Sequence, residues 1–325
     1  MNDPSFPYAA RERARAAAAG VLGISVAAAG IEVLSRRLGR EVYVVVGGGR
    51  RVAVKCYPDP LRTRLGGERL AAFSCSHGSL MVPECLKIDP DGMVVVMSLL
   101  PGVPLASILD GPGAAHASGR VGRAVAALHA IPARLPNALE RAEAIDQAAA
   151  LDFGREDATR AALALKRATS SLGTTPASAL VPSHGDLGPA QILSWGDRIG
   201  IVDFDKAMVA EPALDLGNLL GQLVRKRGEV GYRLFDLLLD AYRETLPRGL
   251  EAATPGLGGA TPSRSEVVGY ALLILLRKLV WLPSVRRAPV RSAIDFLIQR
   301  EPASLGLPSS RPSGRRGEPR RPPRR

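Results

Sequence analysis

The chain changes character once, at Pro101-Gly102, and no other feature of the sequence constrains its fold as strongly. Before that point, residues 31–34, 41–46 and 51–57 form three short β-rich runs separated by Leu38-Gly39-Arg40 and Gly47-Gly48-Gly49, which read as an antiparallel meander. Pro58 and Pro60 lead into a helical stretch over about 61–75 that ends near Gly78, and two more strands are expected over about 84–88 and 93–99. From about residue 104 onward the pattern is mostly helical, with 121–130, 142–150 and 158–172 as clear segments. The expected fold class is therefore α+β in two lobes: a small one of five antiparallel strands and a helix, and a larger, mainly helical one. The expected boundaries are an N-terminal helical extension at 1–30, the small lobe at 31–100, the large lobe at 101–300 and a tail at 301–325. The tail is rich in Pro, Arg, Gly and Ser, has little to bury, and reads as disordered.

Composition removes several partner classes. At 325 residues, 46% hydrophobic and 23% charged, the chain can bury two ordinary cores. Its net charge of +12 looks like a nucleic-acid signal until it is apportioned: the last 25 residues hold seven Arg and two Glu, and so carry five of the twelve charges. Aromatic residues are few, and no basic helix is interleaved with stacking residues, so nucleic acid is not the expected partner; any such binding falls to the tail. Cys56, Cys75 and Cys85 are odd in number and form no C-x-x-C pair, which favours reduced thiols in a cytoplasmic protein. The apolar stretch from Ala16 to Ala29 follows Arg11, Arg13 and Arg15 in the order of a secretory leader. Its alanines suit a helix, however, Glu12 dilutes the basic region, and the stretch is too short to span a bilayer. Val267 to Leu276 ends in Arg277-Lys278 and reads as a buried helix, so no membrane segment is expected.

The chemistry concentrates in residues 184–205, where His184-Gly185-Asp186, then Gln191, then Ile201-Val202-Asp203-Phe204-Asp205 set polar groups in an apolar frame. A short loop holding Asp186 and Gln191, followed by an apolar strand ending at Val202, brings a carboxylate, an amide and a second carboxylate to one place. Such oxygen ligands, with nucleotide phosphates, suit Mg²⁺. Together these residues resemble the catalytic and metal-binding segments of the aminoglycoside phosphotransferase family, small-molecule kinases with a protein-kinase-like fold. That family's pattern is His-Gly-Asp-x-x-x-x-Asn followed by Asp-x-Asp. The resemblance implies that Asp186 orients or deprotonates the acceptor hydroxyl, that Gln191 and Asp203 hold Mg²⁺, and that Asp205 is an auxiliary carboxylate near the metal. It covers most of residues 31–300 in outline, while its specific motifs occupy 52–55, Glu68 and 184–215.

The same resemblance makes the small lobe the site for ATP or GTP. In Val52-Ala53-Val54-Lys55, strand alternation points Ala53 and Lys55 to one face, from which a lysine can reach phosphates as a point charge. Glu68, in the following helix, is the implied ion-pair partner of Lys55; Glu84, after Pro83 at a strand entrance, is its rival. The turn Ser35-Arg36-Arg37-Leu38-Gly39-Arg40 is expected over the phosphates, with Ser35 and Arg36 in contact, although no GxGxxG or Walker-type sequence is present. Adenine is expected against the backbone of Ser98 to Leu100, with Ala53 and Met97 packing the ring.

His184 is expected to organise its loop, Asp215 to buttress that loop or cap the next helix, and His129 to be packed. Two departures from the family pattern stand out: Gln191 replaces Asn, with one more methylene, and Gly188 stands where many relatives carry His and leaves the loop freer. The resemblance implies that the acceptor is a hydroxyl of a small molecule: an aminoglycoside or other antibiotic, an amino alcohol or a sugar. Asp236, Asp240 and Glu244 make a helical acidic stripe that reads first as a solvated face, and the overall positive charge argues against a polycationic acceptor. A nucleotide-binding regulatory protein without turnover is the alternative, motivated by Gln191 and the missing phosphate loop. Monomer and homodimer remain equally open.

Overall fold

Val44 and Val45, with Val52 and Val54 beside them, give the small lobe its centre: β-branched side chains on two adjoining strands, buried on both faces. The computed structural model describes residues 6–37, 40–74, 78–174, 178–253 and 261–300. Helix α1 (Phe6–Leu22) precedes strands β1 (Gly30–Arg37), β2 (Arg40–Gly47) and β3 (Arg50–Cys56), helix α2 (Pro60–Ala72), and strands β4 (Leu80–Met81), β5 (Cys85–Asp89) and β6 (Val94–Ser98). The five-stranded sheet runs β1-β2-β3-β6-β5, antiparallel throughout, so the meander read from the sequence is present and β6 closes on β3.

The sheet has two distinct faces. Val52, Val54 and Cys56 join Tyr43, Val45, Val94 and Val96 in a core covered by Ala10, Ala14, Ala17, Ala18 and Leu22 of α1. The stretch from Ala16 to Leu22 is thus the sheet-facing end of a helix, and its small side chains let the helix lie close. Ala53 and Lys55, on the alternate positions, face the other way and line a cleft.

The larger lobe begins with β7 (Val103–Pro104), α3 (Leu105–Ile108), α4 (Ala114–His129), β8 (Ala138–Leu139), α5 (Arg141–Ala149) and α6 (Gly154–Gly173). It continues through β9 (Val181–Ser183), β10 (Ile192–Trp195), β11 (Arg198–Ile201), β12 (Met208–Ala210), α7 (Ala213–Ala253), α8 (Arg264–Trp281) and α9 (Ala288–Arg300). Two small sheets, β4-β11-β10-β7 and β8-β12-β9, hold the loops that matter below. β4 pairs in parallel with β11, so a strand from the first hundred residues is built into the sheet of the second lobe. One continuous core runs from Phe73 and Leu80 into Leu128, Leu219, Phe235 and Leu272 of the helices.

Helices α4 and α7 cross closely at Gly122, where a Cβ would collide with the Leu238 carbonyl. α7 is broken at Gly228 (φ 52°, ψ −127°), which redirects the second half of the helix. A buried ion network ties the lobe together behind the site: Arg141 binds both oxygens of Glu211, at 2.9 and 2.8 Å, and reaches Glu266 Oε1 at 2.7 Å. Glu266 also completes the capping box at the start of α8 with Ser263. Cys56 and Cys85 are free thiols, while Cys75 and the tail at 301–325 lie outside the described residues. Among the described residues no helix is long and apolar enough to cross a membrane.

Candidate active site

Asp186 sits in the loop that joins β9 to β10, and the shape of that loop follows from a few buried bonds. Gly185 has φ 78°, and a Cβ there would strike the Lys206 carbonyl, so the residue before Asp186 has to be glycine. His184 is fully buried; its Nδ1 accepts from Asp186 N–H at 3.3 Å, and its Nε2 therefore donates to the Val202 carbonyl at 2.9 Å. Asp215, also fully buried, accepts His184 N–H at 2.7 Å and Gly185 N–H at 2.9 Å. It further accepts from His129 Nε2 at 3.2 Å, while Tyr242 Oη lies 2.9 Å from His129 Nδ1. His184 and Asp215 thus organise the loop, and His129 is packed, 1% exposed, behind Asp215.

The β10–β11 hairpin delivers the second carboxylate. Gln191 N–H bonds the Gly188 carbonyl at 2.9 Å, and Val202 N–H bonds the Gln191 carbonyl at 3.0 Å, which fixes the amide and Asp203 on neighbouring strand ends. Asp203 is one of two non-glycine residues among those described with positive φ (74°), a left-handed conformation that Asp tolerates better than most and that tends to occur at functional sites. Phe204 is buried against His184 and Phe73, with ring centroids 5.0 and 4.8 Å apart, and anchors the turn that carries Asp205.

Lys55 reaches across from β3 and bonds both Asp203 Oδ1 and, at 2.6 Å, Asp205 Oδ1. Tyr57 Oη donates to the same Asp205 oxygen at 2.8 Å, and Arg40 pairs with Asp205 Oδ2. Arg69 of α2 donates to the Asp205 carbonyl. Asp203 and Asp205 therefore converge on one point, and Gln191 lines the same cleft. The two carboxylates present hard oxygens at this point and Gln191 lines the cleft beside them, donor types that suit Mg²⁺. Among the described residues no three His, Cys, Asp or Glu side chains gather as a metal cluster of their own.

The charges are arranged to keep the carboxylates ionised. Burial works against charge on Asp186, but Lys206, bonded at 2.7 Å, together with Lys278 and Asn218 outweighs it and holds the carboxyl below the usual range. Burial is likewise the largest influence on Asp203 and is overcome by Lys55, then Arg40 and His184. Asp215 follows the same logic, its burial offset by His129 and His184.

Glu68 is placed outside the site, which corrects the expected ion pair with Lys55. The side of α2 facing the cleft carries Gly66, where a Cβ would collide with the Tyr57 hydroxyl, and Leu70. Glu68, two residues from Gly66 and about 200° around the helix, is exposed. The rival Glu84 is exposed too and uses its backbone, accepting from Ser98 N–H at 2.9 Å. Arg36 is the second correction. Next to Ser35 on β1 it faces the opposite side, is exposed, and pairs with Glu41 at 3.3 Å, whereas Ser35 lines the cleft. Arg40, at the start of β2, supplies the cation instead. Leu38 and Gly39, in the turn expected over the phosphates, lie outside the described residues.

Ser98 and Leu100 line the cleft with Ala53, Met97 and Leu99, and Ser98 Oγ accepts from Glu84 N–H at 2.8 Å. The cleft, of about 450 Å³, is apolar at this end and ends in Lys55, Arg40, Gln191, Asp203 and Asp205 at the other, a size and polarity suited to a nucleotide. A more open hollow of about 470 Å³ between α5 and α6 holds none of these residues.

Other members of the site could not be read from the sequence. Asn218 Nδ2 donates to Asp186 Oδ1 at 3.3 Å, and Lys206 takes the other oxygen. The space beside Gly188 is filled by Gln222 and by Gln191 Oε1, so the loop is packed there rather than loose. Asp236 pairs with Arg264, and Asp240 and Glu244 are exposed, as a solvated face requires.

Comparison with known proteins follows the same lines. The model of the phosphotransferase enzyme family, APH, matches residues 30–289. A search of curated proteins gives no significant match. Among solved structures, a thermostable mutant of aminoglycoside phosphotransferase APH(4)-Ia, in ternary complex with ADP and hygromycin B, superposes with a TM-score of 0.62 at 16% identity, covering 90% of this chain and 99% of its own. A choline/ethanolamine kinase family protein from Mesorhizobium loti gives 0.59 at 23% identity over 90% and 93% of the two chains. Macrolide 2'-phosphotransferase MphH from Brachybacterium faecium gives 0.55 at 20% over 86% and 96%. At these identities the likeness is one of fold.

Proposed function

Because the chain belongs to the phosphotransferase enzyme family, we propose that it moves the γ-phosphate of ATP to a hydroxyl of a small molecule, using Mg²⁺, in the cytoplasm. The observation that carries this reading is the convergence of Lys55, Asp203 and Asp205 at the polar end of a nucleotide-sized cleft, beside a loop that presents an ionised Asp186.

In this reading the adenine lies among Ala53, Met97 and Leu100, and the phosphates extend toward Lys55 and Arg40. Asp203 and Gln191, with Asp205 beside them, would hold Mg²⁺, which would supply positive charge to neutralise the phosphates there. Asp186 accepts a hydrogen bond from the acceptor hydroxyl and takes its proton as the oxygen bonds to the γ-phosphorus and the bond to the bridging oxygen of ADP breaks. Its depressed pKa suits orientation and late proton transfer better than early deprotonation, as expected for a loose phosphoryl-transfer transition state.

The direct test is thermal unfolding with Mg·ATP and with ATP lacking metal, on the native chain and on Asp203→Ala, because a ligand that binds only the folded state must stabilise it. A Mg²⁺-dependent rise in Tm that the variant loses supports the nucleotide and metal site, and acceptor-dependent ADP release then separates phosphotransfer from nucleotide binding without turnover; no rise in either protein would overturn both readings. Lys55→Ala removes the cation shared by two carboxylates at the phosphate end. It is expected to raise KM for ATP by about tenfold or more, a loss on the scale of one charge-assisted hydrogen bond. Unchanged kinetics in a coupled ADP-release assay would sink that role.

A further inference from the structure

Beyond the cleft, one face of α7 continues the site away from the nucleotide. Asp215, Asn218, Gln222 and Arg225 are spaced three, four and three apart and so form a polar stripe down one side of the helix. Asp215 fixes the loop, Asn218 bonds Asp186, and Gln222 Nε2 donates to Asn218 Oδ1 at 3.4 Å and lies over Gly188. Arg225 comes next along the stripe. It is partly buried, its Nε has no hydrogen-bond partner among the described residues, and no carboxylate pairs with it there.

Other cations meet it. Lys278 of α8 is partly buried, and Asp186 is the acid that acts on it most, while Lys206, Arg225 and Arg277 all oppose its charge. Burial pushes both Lys278 and Arg225 below their usual pKa values. Lys206 occupies one oxygen of Asp186, and Arg277 instead stacks on Trp281, 4.9 Å from the ring centroid. The acidic stripe that would suit an amine lies beyond the break at Gly228, with Asp236 already paired to Arg264. Lys206 and Lys278 act on one carboxylate, and Arg225 and Arg277 add to the positive field at Lys278; such cations repel an ammonium but bind an anion well.

We propose that the acceptor addressed by Asp186 is anionic, a small polyhydroxy compound carrying a carboxylate or phosphate that Arg225 and Lys278 hold while Asp186 faces its hydroxyl. The proposal rests on the phosphotransferase reading of Asp186 and narrows its substrate class.

Calorimetric titration of the full chain with Mg·ADP present, at about 0.15 M salt where exposed charges are screened, tests it with a matched open-chain series: gluconate, sorbitol 6-phosphate, neutral sorbitol and cationic glucamine. At least one anion is expected to bind about tenfold more tightly than glucamine, and Arg225→Ala and Lys278→Ala each to weaken it by about tenfold, the scale of one charge-assisted hydrogen bond. Lys278→Arg should restore binding. Arg233→Ala, which removes an exposed guanidinium paired with Glu229, serves as the control for overall charge. Glucamine binding as tightly as the anions, no binding by either anion, or equal loss in the Arg233→Ala control would overturn the proposal. The wider reading fails separately: anion binding with no transfer of phosphate from ATP would overturn phosphotransfer alone, and transfer confined to cationic acceptors would overturn the anionic class alone.

Discussion

Asp186→Asn is expected to reduce turnover by roughly 10²–10⁴-fold while the affinity for Mg·ATP stays within about twofold of the native value. The asymmetry follows from position: Asp186 is bonded by Lys206 and Asn218 and is not among the residues lining the nucleotide-sized cleft. Asn keeps the shape and can still bond its neighbours, but it cannot accept a proton or match the positive field of Lys206 and Lys278. Parallel measurements of ADP release and nucleotide binding separate the two effects. A variant that keeps most of its turnover would remove Asp186 from the chemistry, and one that loses nucleotide affinity as well would place it among the phosphates.

The second large effect is expected at Asp215, which touches no substrate in this arrangement. Asp215→Ala leaves His184 N–H, Gly185 N–H and the buried His129 without their acceptor. Stranding such groups should cost about 3–5 kcal/mol of stability and loosen the loop that presents Asp186, so kcat falls together with the denaturation midpoint. The pH dependence has a definite sign. The folded carboxyl titrates below its unfolded value, so its contribution is fully present above the ordinary Asp range near pH 4 and is lost as pH falls through the depressed folded value. Urea unfolding at a series of acidic pH values should show a shallower acid limb in Asp215→Asn than in the native chain. Equal slopes would mean that Asp215 does not couple folding to protons.

What could be read in advance was local. Alternation alone put Ala53 and Lys55 on one face of β3, and the single short hairpin between Gln191 and Asp203 left little freedom in how those two come to line one cleft. Glu68 failed because its direction depends on the phase of α2, which is set by Gly66 making room for the Tyr57 hydroxyl, a packing contact that periodicity does not report. Arg36 failed by one residue of strand register, which sends a side chain to the other face. The pairing of β4 with β11 gives no periodic signal in two residues. The α7 stripe was invisible for a different reason: Asn218, Gln222 and Arg225 look like any polar helix face until α8 and the Asp186 loop show which side is inward.

The docking of α1 bears on how this chain can be cut. The family match starts at residue 30, which makes that position a natural place to trim for expression. Yet one whole side of the five-stranded sheet, from Tyr43 through Val54 to Val96, is roofed by the alanines of residues 10–19. A fragment starting at residue 30 would expose that side as a flat sticky sheet of valines and aromatic carbon, inviting self-association. Homology boundaries and folding boundaries differ here by one helix.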